Sequence, residues 1–570
     1  MRRVLATCIT AIAALGLAAC GGGGSGGGGG GLPGTPQGPP PSAMEAARLL
    51  SQASFGPTET SIAQVQQFGV SGWIDQQIAT PRPAVTHQAS IEARDAEVGG
   101  AQPNQFYETW WRQALYGDDQ LRQRMAFALS QIFVISLTDP VVDARGAGSY
   151  YDMLERNALG NYRTLLDDVT LHPMMGRYLT FLANRKEDTS RTPDENYARE
   201  VMQLMTIGLV ELNPDGTARL DGGGQPIPTY TSADIAGLAK VFTGISWCHP
   251  TPTNNTFGGG GADPNRSVTP MIFYPTFHST SEKAFLGTTI PANATVDVGG
   301  DVRVALDRLF NHANTGPFIS YRLIQQLVTS NPSPAYVGRV AAVFANNGQG
   351  VRGDLGAVAK AILMDPEARD ASVATSATFG KLREPVIRVT NWARAFGARS
   401  QTGNFLITST SANTSLNQTP LTSPSVFNFW RPGFVPPGTT QLGQRNLVAP
   451  EFQIVDEVTA AGYINSIQDW VNQGVGSTPP NGTGRDVRPV DINGVFYPAE
   501  IALAENPQAL VERMNLLLFY GTMTPTMQAR LLAAINGVAA SNPITDTQRL
   551  NRAKTAVFFS MISPEYLTQR

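Results

Sequence analysis

The sequence has very few cysteines, and their positions exclude a disulfide framework. Only three occur in 570 residues: Cys8, Cys20 and Cys248. The first two fall in a leader-like segment, so Cys248 has no partner in the rest of the chain. His249 follows it, but adjacent residues of an extended segment point to opposite sides, which disfavours a nucleophile–base pair. We therefore expect Cys248 in a loop or in the core, and a body held together by packing alone.

Charged residues, long apolar runs and hydrolase motifs are also scarce. Charged residues make up 15% of the chain, and the net charge is −3. No basic tail or patch stands out, so a nucleic-acid partner is not expected. Beyond the leader, no segment is apolar enough to span a membrane. A Gly-x-Ser-x-Gly elbow and a phosphate-binding loop ending in Lys-Ser/Thr are missing, so serine-hydrolase and nucleotide-hydrolase chemistry has no support.

Histidine is equally rare, and its spacing matches none of the common zinc motifs. The five histidines are His87, His172, His249, His278 and His312. We predict no metal site, and the sequence identifies no cofactor. Gly348 to Gly353 formally matches a dinucleotide fingerprint, but a helical pattern rather than a strand precedes it. A turn between two helices is therefore favoured.

What the sequence does contain is a distinctive start. Two arginines precede an apolar stretch over residues 4–17, which is shorter than the roughly 20 residues of a membrane span. The order Leu-Ala-Ala-Cys at residues 17–20 resembles the bacterial lipobox. We predict a signal peptide over residues 1–19 and a lipid on Cys20 that attaches the protein to the membrane, as an outer-membrane lipoprotein. The alternative is an ordinary secretory signal in which Cys20 occurs by chance.

A tether follows the predicted lipid site. Residues 21–31 are glycine except for Ser25, and residues 33–41 are rich in proline. Glycine loses the most backbone entropy on folding, so residues 20–41 should form a flexible leash. The folded body is expected over residues 42–570, as one domain or as two lobes.

The apolar spacing of the body is mostly helical. The predicted fold class is therefore mainly α, a multi-helical body with small β-hairpins and long loops. The turn at Asn213-Pro214-Asp215-Gly216 predicts a hairpin, and residues 271–274 fit a strand. Two loop-rich stretches, residues 247–300 and 401–447, are long enough to be functional surfaces or binding lids.

Two helices have recognisable starts. Thr192, Pro193 and Glu195 have the pattern of an N-cap, a first helical residue and a capping box. The segment over residues 231–234 has the same kind of start. In the first of these helices Glu195 and Arg199 form an i, i+4 pair. Glu200 lies at the margin of the apolar face, so its carboxylate should be half-buried and need a partner, and both functional and structural roles stay open.

Several blocks of the sequence resemble the bacterial family called domain of unknown function 1800, DUF1800. The blocks are residues 47–57, 194–208, 230–244, 278–287, 381–385 and 425–429. The resemblance spans roughly residue 43 to the C-terminus. It implies a largely helical, exported protein without an established activity. It also implies a sulfatase-like partner, because genes of such proteins often neighbour those of the family.

The chain departs from the family pattern at two places. Many members carry two histidines before a phenylalanine in the helix that here reads Ser130-Gln131-Ile132-Phe133, which puts a metal role for that helix in doubt. The histidine loop often has Asp after the histidine, whereas this chain has Ser279. That difference weakens a carboxylate–histidine pair within the loop.

Two classes of function remain open at this point. The first is a binding or accessory protein, because no catalytic constellation is complete. The second is an enzyme that acts on cell-wall or exopolysaccharide substrates, using carboxylates such as Glu200, Glu384 and Glu451. The candidate catalytic residues are Glu200, His278 and Arg383, and the candidate binding residues are Asn196, Arg199, Lys283 and Glu384. Convergence of these side chains in one cleft would favour the enzyme.

Overall fold

The computed structural model describes residues 39–570 apart from Ala262, Thr439 and Asn481. The predicted signal peptide, Cys20 and residues 20–38 of the tether lie outside the described residues. All described residues fall within one compact unit, Pro36–Arg570. None of the helices in this described part combines the length and the apolar character that crossing a membrane requires.

Helices make up most of the regular structure, and the predicted mainly α class is confirmed. Within the described ranges there are 24 α-helices. They are α1 (Ala43–Ala53), α2 (Glu59–Ala79), α3 (His87–Val98), α4 (Pro103–Tyr116), α5 (Gln120–Ser130), α6 (Ala144–Asn157), α7 (Tyr162–Leu171), α8 (Pro173–Tyr178), α9 (Asn196–Gln203), α10 (Ser232–Val241), α11 (Val298–Asn311), α12 (Thr315–Leu327), α13 (Pro334–Ala345), α14 (Leu355–Met364), α15 (Pro366–Arg369), α16 (Ala371–Ala374), α17 (Pro385–Ala395), α18 (Gln441–Gln444), α19 (Glu457–Gln473), α20 (Pro498–Leu503), α21 (Pro507–Met514), α22 (Pro525–Gly537), α23 (Asp546–Met561) and α24 (Pro564–Leu567).

The strands are short and pair only two at a time. In the described residues, four antiparallel pairs occur. They are β1 (Ile245–Ser246) with β2 (Ile272–Phe273), β3 (Lys283–Phe285) with β4 (Thr288–Ile290), β5 (Lys381–Leu382) with β8 (Thr568–Gln569), and β6 (Arg399–Ser400) with β7 (Val487–Arg488). The β5–β8 pair joins the C-terminus to the middle of the chain.

One predicted helix start is confirmed and the other is wrong. Thr231 caps α10 and forms a capping box with Asp234. The other helix, α9, begins at Asn196 rather than after Thr192. The reason is tertiary: Asp194 donates its N–H to Asn184 Oδ1 (2.9 Å), and its carboxylate accepts from the N–H of Asn196 (2.9 Å). These bonds hold residues 192–195 outside the helix.

Four smaller predictions are confirmed. The turn after Asn213 closes a hairpin, with Asn213 N–H donating to Thr217 O at 2.8 Å. The predicted strand is β2. Gly348 to Gly353 joins α13 to α14, so it is the expected connection between helices. Cys248 is buried and free of disulfides in the described part of the chain, and burial raises the pKa of its thiol.

Aromatic residues fill the core around α1, α4 and α5. Phe55 lies edge-on to Trp110 with ring centroids 5.3 Å apart, and Trp110 lies 5.5 Å from Phe127. Trp110 and Trp111 are both buried, so they are core residues rather than a surface for stacking sugars. Next to them, a Cβ on Gly56 would come within 2.7 Å of the Asn391 Cα, so only glycine allows α17 to approach this closely.

A second close approach positions β3. A Cβ on Gly237, in α10, would lie only 1.8 Å from the carbonyl oxygen of Ala284. The absence of a side chain at Gly237 therefore lets the strand lie directly against the helix. Because Lys283 precedes Ala284, this contact also sets the position of a predicted binding residue.

Candidate functional site

A small cavity lies beside the β3–β4 hairpin and the start of α11. Its volume is about 160 Å³, and its lining includes His278, Lys283 and Asp301. His278 and Lys283 are predicted site residues, whereas Asp301 is not. The structure thus brings two of the predicted residues together and adds a carboxylate from a different element.

Asp301 binds the side chains of both His278 and Lys283. Its Oδ2 atom lies 2.9 Å from His278 Nε2 and 3.0 Å from Lys283 Nζ. The side chains of His278 and Lys283 are 1% and 3% exposed, and that of Asp301 is 17% exposed. Lys283 also donates to Ser279 O at 2.7 Å. A single carboxylate therefore contacts two nearly buried side-chain nitrogens.

The hydrogen bonds of His278 restrict its chemistry. Its Nδ1 atom lies 2.7 Å from Thr243 O, and its Nε2 atom faces Asp301. A carbonyl oxygen and an ionised carboxylate both accept, so both contacts are hydrogen bonds only when both ring nitrogens carry protons. The ring then has no lone pair for a metal or for proton abstraction. The cavity is also smaller than the roughly 300–1,000 Å³ of typical small-molecule sites.

Asp301 could hardly be identified as a site residue from the sequence. The loop has Ser279 where the family often has an aspartate, and the Ser279 hydroxyl donates to Glu187 Oε1 at 2.8 Å. The carboxylate that pairs with His278 comes from the first turn of α11, 23 residues further along. An acidic residue in a first helical turn is common, since it interacts favourably with the helix dipole. Only the tertiary contact separates Asp301 from that ordinary role.

A second group of residues surrounds the buried amine of Lys381. Its Nζ atom lies 2.9 Å from Glu451 Oε1 and 3.8 Å from Glu384 Oε1. It also donates to the carbonyl oxygens of Gln325 (2.9 Å) and Gln326 (3.1 Å). The three charged side chains are at most 3% exposed. A polysaccharide has no access to these carboxylates in this conformation, although they do lie close together.

Amide side chains complete the environment of Glu384. Its Oε2 atom accepts from Gln131 Nε2 at 2.9 Å and from Gln418 Nε2 at 2.8 Å. Asn428 Nδ2 in turn donates to Gln131 Oε1 at 2.8 Å. These bonds join the end of α5 to the blocks at residues 381–385 and 425–429. Two of the sequence blocks that carry the resemblance therefore meet, with the end of α5, in one buried polar cluster.

The side chain of Arg383 forms no ion pair or hydrogen bond with that cluster in the described part of the chain. Its guanidinium lies 4.5 Å from the ring centroid of Tyr566 and 5.3 Å from that of Tyr520. The residue is 3% exposed, and its N–H donates to Leu567 O at 2.7 Å. The contacts on both sides come from the C-terminal part of the chain, which gives Arg383 a packing role.

Glu200 lies in a third place, on α9. It is 6% exposed, and its Oε2 atom has no hydrogen-bond partner among the described residues. Burial raises the pKa of this carboxyl above its usual range, and the charge of Arg199 opposes the rise. The predicted need for a partner is thus unmet in this part of the structure.

The other two predicted residues of α9 have local contacts. Arg199 forms the expected ion pair with Glu195 at 3.2 Å, and both side chains are more than 40% exposed, so the pair adds little stability. Asn196 Nδ2 donates to Thr180 Oγ1 at 3.3 Å. Across residues 39–570 as described, no hydrogen bond or ion pair links α9 side chains to His278 or to Glu384. The predicted residues therefore form three separate groups.

One further group has the residue types of a metal site. His87, Asp152 and Glu155 offer ligand atoms within 4.8 Å of one another, and all three are buried. His87 Nε2 lies 2.8 Å from Glu155 Oε1, while the Asp152 carboxylate accepts the N–H groups of His87 (2.7 Å) and Gln88 (2.9 Å). Burial lowers the pKa of His87, but the charge and hydrogen bond of Glu155 together with the charge of Asp152 outweigh it, and the net shift is upward. The Asp152 carboxylate therefore caps the start of α3, and His87 and Glu155 form a buried pair beside it.

Comparison with known proteins gives one match. A family model described as protein of unknown function DUF1800 matches residues 48–568. No curated protein and no solved structure matches the chain.

The first prediction concerns Asp301. In Asp301→Asn, His278 and Lys283 lose their shared counter-charge in a nearly buried site, so the free energy of unfolding should fall by about 3 kcal/mol. Denaturant titration followed by tryptophan fluorescence measures this change. Asp297→Asn is the matched control, because it lines the same cavity but is exposed, and asparagine retains its N-cap role. Equal stability of the two variants would contradict the stabilising role of Asp301.

The second prediction concerns Lys381. Lys381→Met leaves two buried carboxylates without their cation and should reduce the free energy of unfolding by about 3–5 kcal/mol. The double variant Lys381→Met/Glu451→Gln removes one of the two charges and should regain part of that loss. A double variant as unstable as the sum of the two single ones would show that Lys381 and Glu451 do not interact.

Proposed function

The chain belongs to the DUF1800 family, and from that membership we propose that it is an exported, lipid-anchored protein of the bacterial cell envelope that acts by binding. One observation carries the choice of binding over catalysis. His278 and Arg383, two of the three predicted catalytic side chains, are held by internal partners. Both His278 ring nitrogens face acceptors, and Arg383 lies between two tyrosine rings.

The predicted leader supports the location. A lipid on Cys20 would anchor the protein, and two or more acyl chains give stable attachment where one gives only marginal binding. The glycine-rich tether would let the body reach about 5–6 Å times the square root of its length from the membrane. We propose the outer membrane as its site, with a sulfatase-like envelope protein as its partner.

The third prediction tests the anchor. Cys20→Ala removes the only side chain that the proposed lipid modifies, so the full chain should move from the membrane fraction to the soluble extracytoplasmic fraction. Fractionation and immunoblotting measure this change, and Cys8→Ala is the control that should leave the distribution unaltered. Membrane retention of Cys20→Ala would contradict lipid anchoring.

The partner is tested in the same cells. The full chain is cross-linked in intact envelopes and purified, and a sulfatase-like protein should be recovered with both the native chain and Glu200→Gln. Recovery that persists in Glu200→Gln supports binding, because this substitution removes the acid of the alternative function. Absence of any sulfatase-like protein from the native sample would contradict the proposed partner.

A specific observation favours an enzyme as the second candidate. The carboxyl of Glu200 is buried and has a raised pKa, which are properties of a general acid. Among the described residues, no second catalytic group contacts the Glu200 carboxyl. The enzyme would act on cell-wall or exopolysaccharide substrates.

The fourth prediction tests whether the buried carboxyl of Glu200 stabilises the fold. A raised carboxyl pKa means that the folded state holds its proton more tightly, so stability falls as the pH rises above the usual glutamate value of about 4.3. Glu200→Gln removes that ionisation and should be at least as stable as the native chain at neutral pH, with the difference shrinking as the pH falls. Thermal unfolding across pH measures it, and the exposed Glu195→Gln is the control. A large destabilisation by Glu200→Gln at neutral pH would contradict this account.

A further inference from the structure

A cleft that the sequence does not indicate lies between α2, the turn after α4 and the end of α17. Its volume is about 380 Å³, and its lining includes Thr60, Gln64, Gln76, Tyr116 and Arg394. This volume falls within the roughly 300–1,000 Å³ of typical small-molecule sites. The cavity at His278 is less than half as large.

Arg394 is a cation without an anionic partner in this cleft. Its Nε atom donates to Gly56 O at 2.8 Å, and its Nη1 atom donates to Leu115 O at 2.6 Å. No carboxylate lies within ion-pair distance of it among the residues described, and its Nη2 atom makes no hydrogen bond there. Burial lowers the pKa of the guanidinium to about 10, so it remains charged at neutral pH. A partly desolvated charge of this kind gains most from an anion.

Asp118 also lines the cleft and has to be weighed against Arg394. Its side chain is exposed, so solvent and salt screen its charge. The guanidinium is half-buried and fixed by two carbonyl oxygens, so its field is screened less. The positive charge therefore dominates within the cleft.

The remaining polar side chains that line the cleft are uncharged, and three of them are free to bind a ligand. Thr60, Gln64 and Gln76 are exposed, and their side chains make no hydrogen bond in the described part of the protein. Gln77 and Gln120 differ, because their amides already bind backbone groups at Asp118 and Gly117. Free amides and hydroxyls both donate and accept, as the hydroxyl groups of a sugar require.

Tyr116 provides a rigid aromatic surface at the cleft. It is 50% exposed, its hydroxyl donates to Ala398 O at 2.7 Å, and its ring centroid lies 5.6 Å from that of Phe405. These contacts fix the ring while leaving half of its surface open. A fixed aromatic ring offers contact area at a low entropic cost.

We propose that this cleft binds a saccharide unit that carries an anionic group. Arg394 contacts the anion through Nη2, the amides of Gln64 and Gln76 with the hydroxyl of Thr60 bind sugar hydroxyls, and Tyr116 contacts the sugar face. A carboxylate and a sulfate ester satisfy the same guanidinium geometry. The site is distinct from the His278 cavity and does not depend on the lipid anchor.

Calorimetric titration of the purified full chain in detergent tests the proposal. The probes are digalacturonate, galactose 6-sulfate and the neutral disaccharide galactobiose. At least one anionic probe should bind about tenfold more tightly than the neutral one, and its affinity should fall with added salt. The anionic probe that binds more tightly identifies the anion as carboxylate or sulfate. Equal affinity for charged and neutral probes, or no binding of any probe, would overturn the proposal.

Variants locate the binding in this cleft, and this is the fifth prediction. Arg394→Gln should remove the preference for the anionic probe. Because Arg394 also binds two carbonyl oxygens, the double variant Gln64→Ala/Gln76→Ala provides an independent test on exposed positions and should weaken binding several-fold. Gln67→Ala is the matched control, exposed on the same helix outside the cleft lining, and should bind like the native chain. Unchanged affinity in the double variant would place the ligand elsewhere.

Discussion

The packing of the C-terminal half depends on the ion pairs that the buried amine of Lys381 forms. The amine lies between two carboxylates, Glu384 and Glu451, and binds two carbonyl oxygens at the end of α12. It also sits in β5, the strand that pairs with the C-terminal β8. Removing water from three charges is unfavourable unless they are paired, so Lys381 has to stay close to Glu384, Glu451 and the end of α12. The described residues contain no disulfide, so buried ion pairs of this kind connect segments that are distant in the sequence.

The same principle limits the catalytic interpretation. A side chain that acts in catalysis must present a reactive atom to a substrate, whereas His278 and Arg383 direct theirs to internal partners. Binding requires less: a cleft, a few unpaired polar groups and a fixed surface. The cleft at Arg394 has those properties, and hydrogen bonds to backbone carbonyl oxygens fix Arg394 and Tyr116 within it. Under the proposed lipid anchoring, such a cleft would meet acidic polysaccharides of the envelope directly.

The sequence predicted more of the fold than of the site. Helical periodicity identified the class, and the capping box at Thr231 identified the start of α10, because both signals are local. The predicted start of α9 was wrong, because Asn184, which lies outside the helix, binds the N–H of Asp194. Of the His278 group, the loop pattern found two members, and only the fold supplied Asp301. No sequence pattern indicated the cleft at Arg394, because its lining comes from two distant parts of the chain, residues 50–120 and 393–398.

By itself the sequence determined the family, the helical class and the cysteine inventory, and it predicted the lipoprotein leader from residues that act within a few positions of one another. The tertiary structure alone decided which polar groups pair across long sequence separations. Glu384 meets Gln131 across more than 250 positions, and Arg394 meets Gly56 across 338. The physical reason is that pairing depends on distance and desolvation, which arise only when distant segments pack together. The same packing left Arg394 without a carboxylate in the described residues and so marked the cleft.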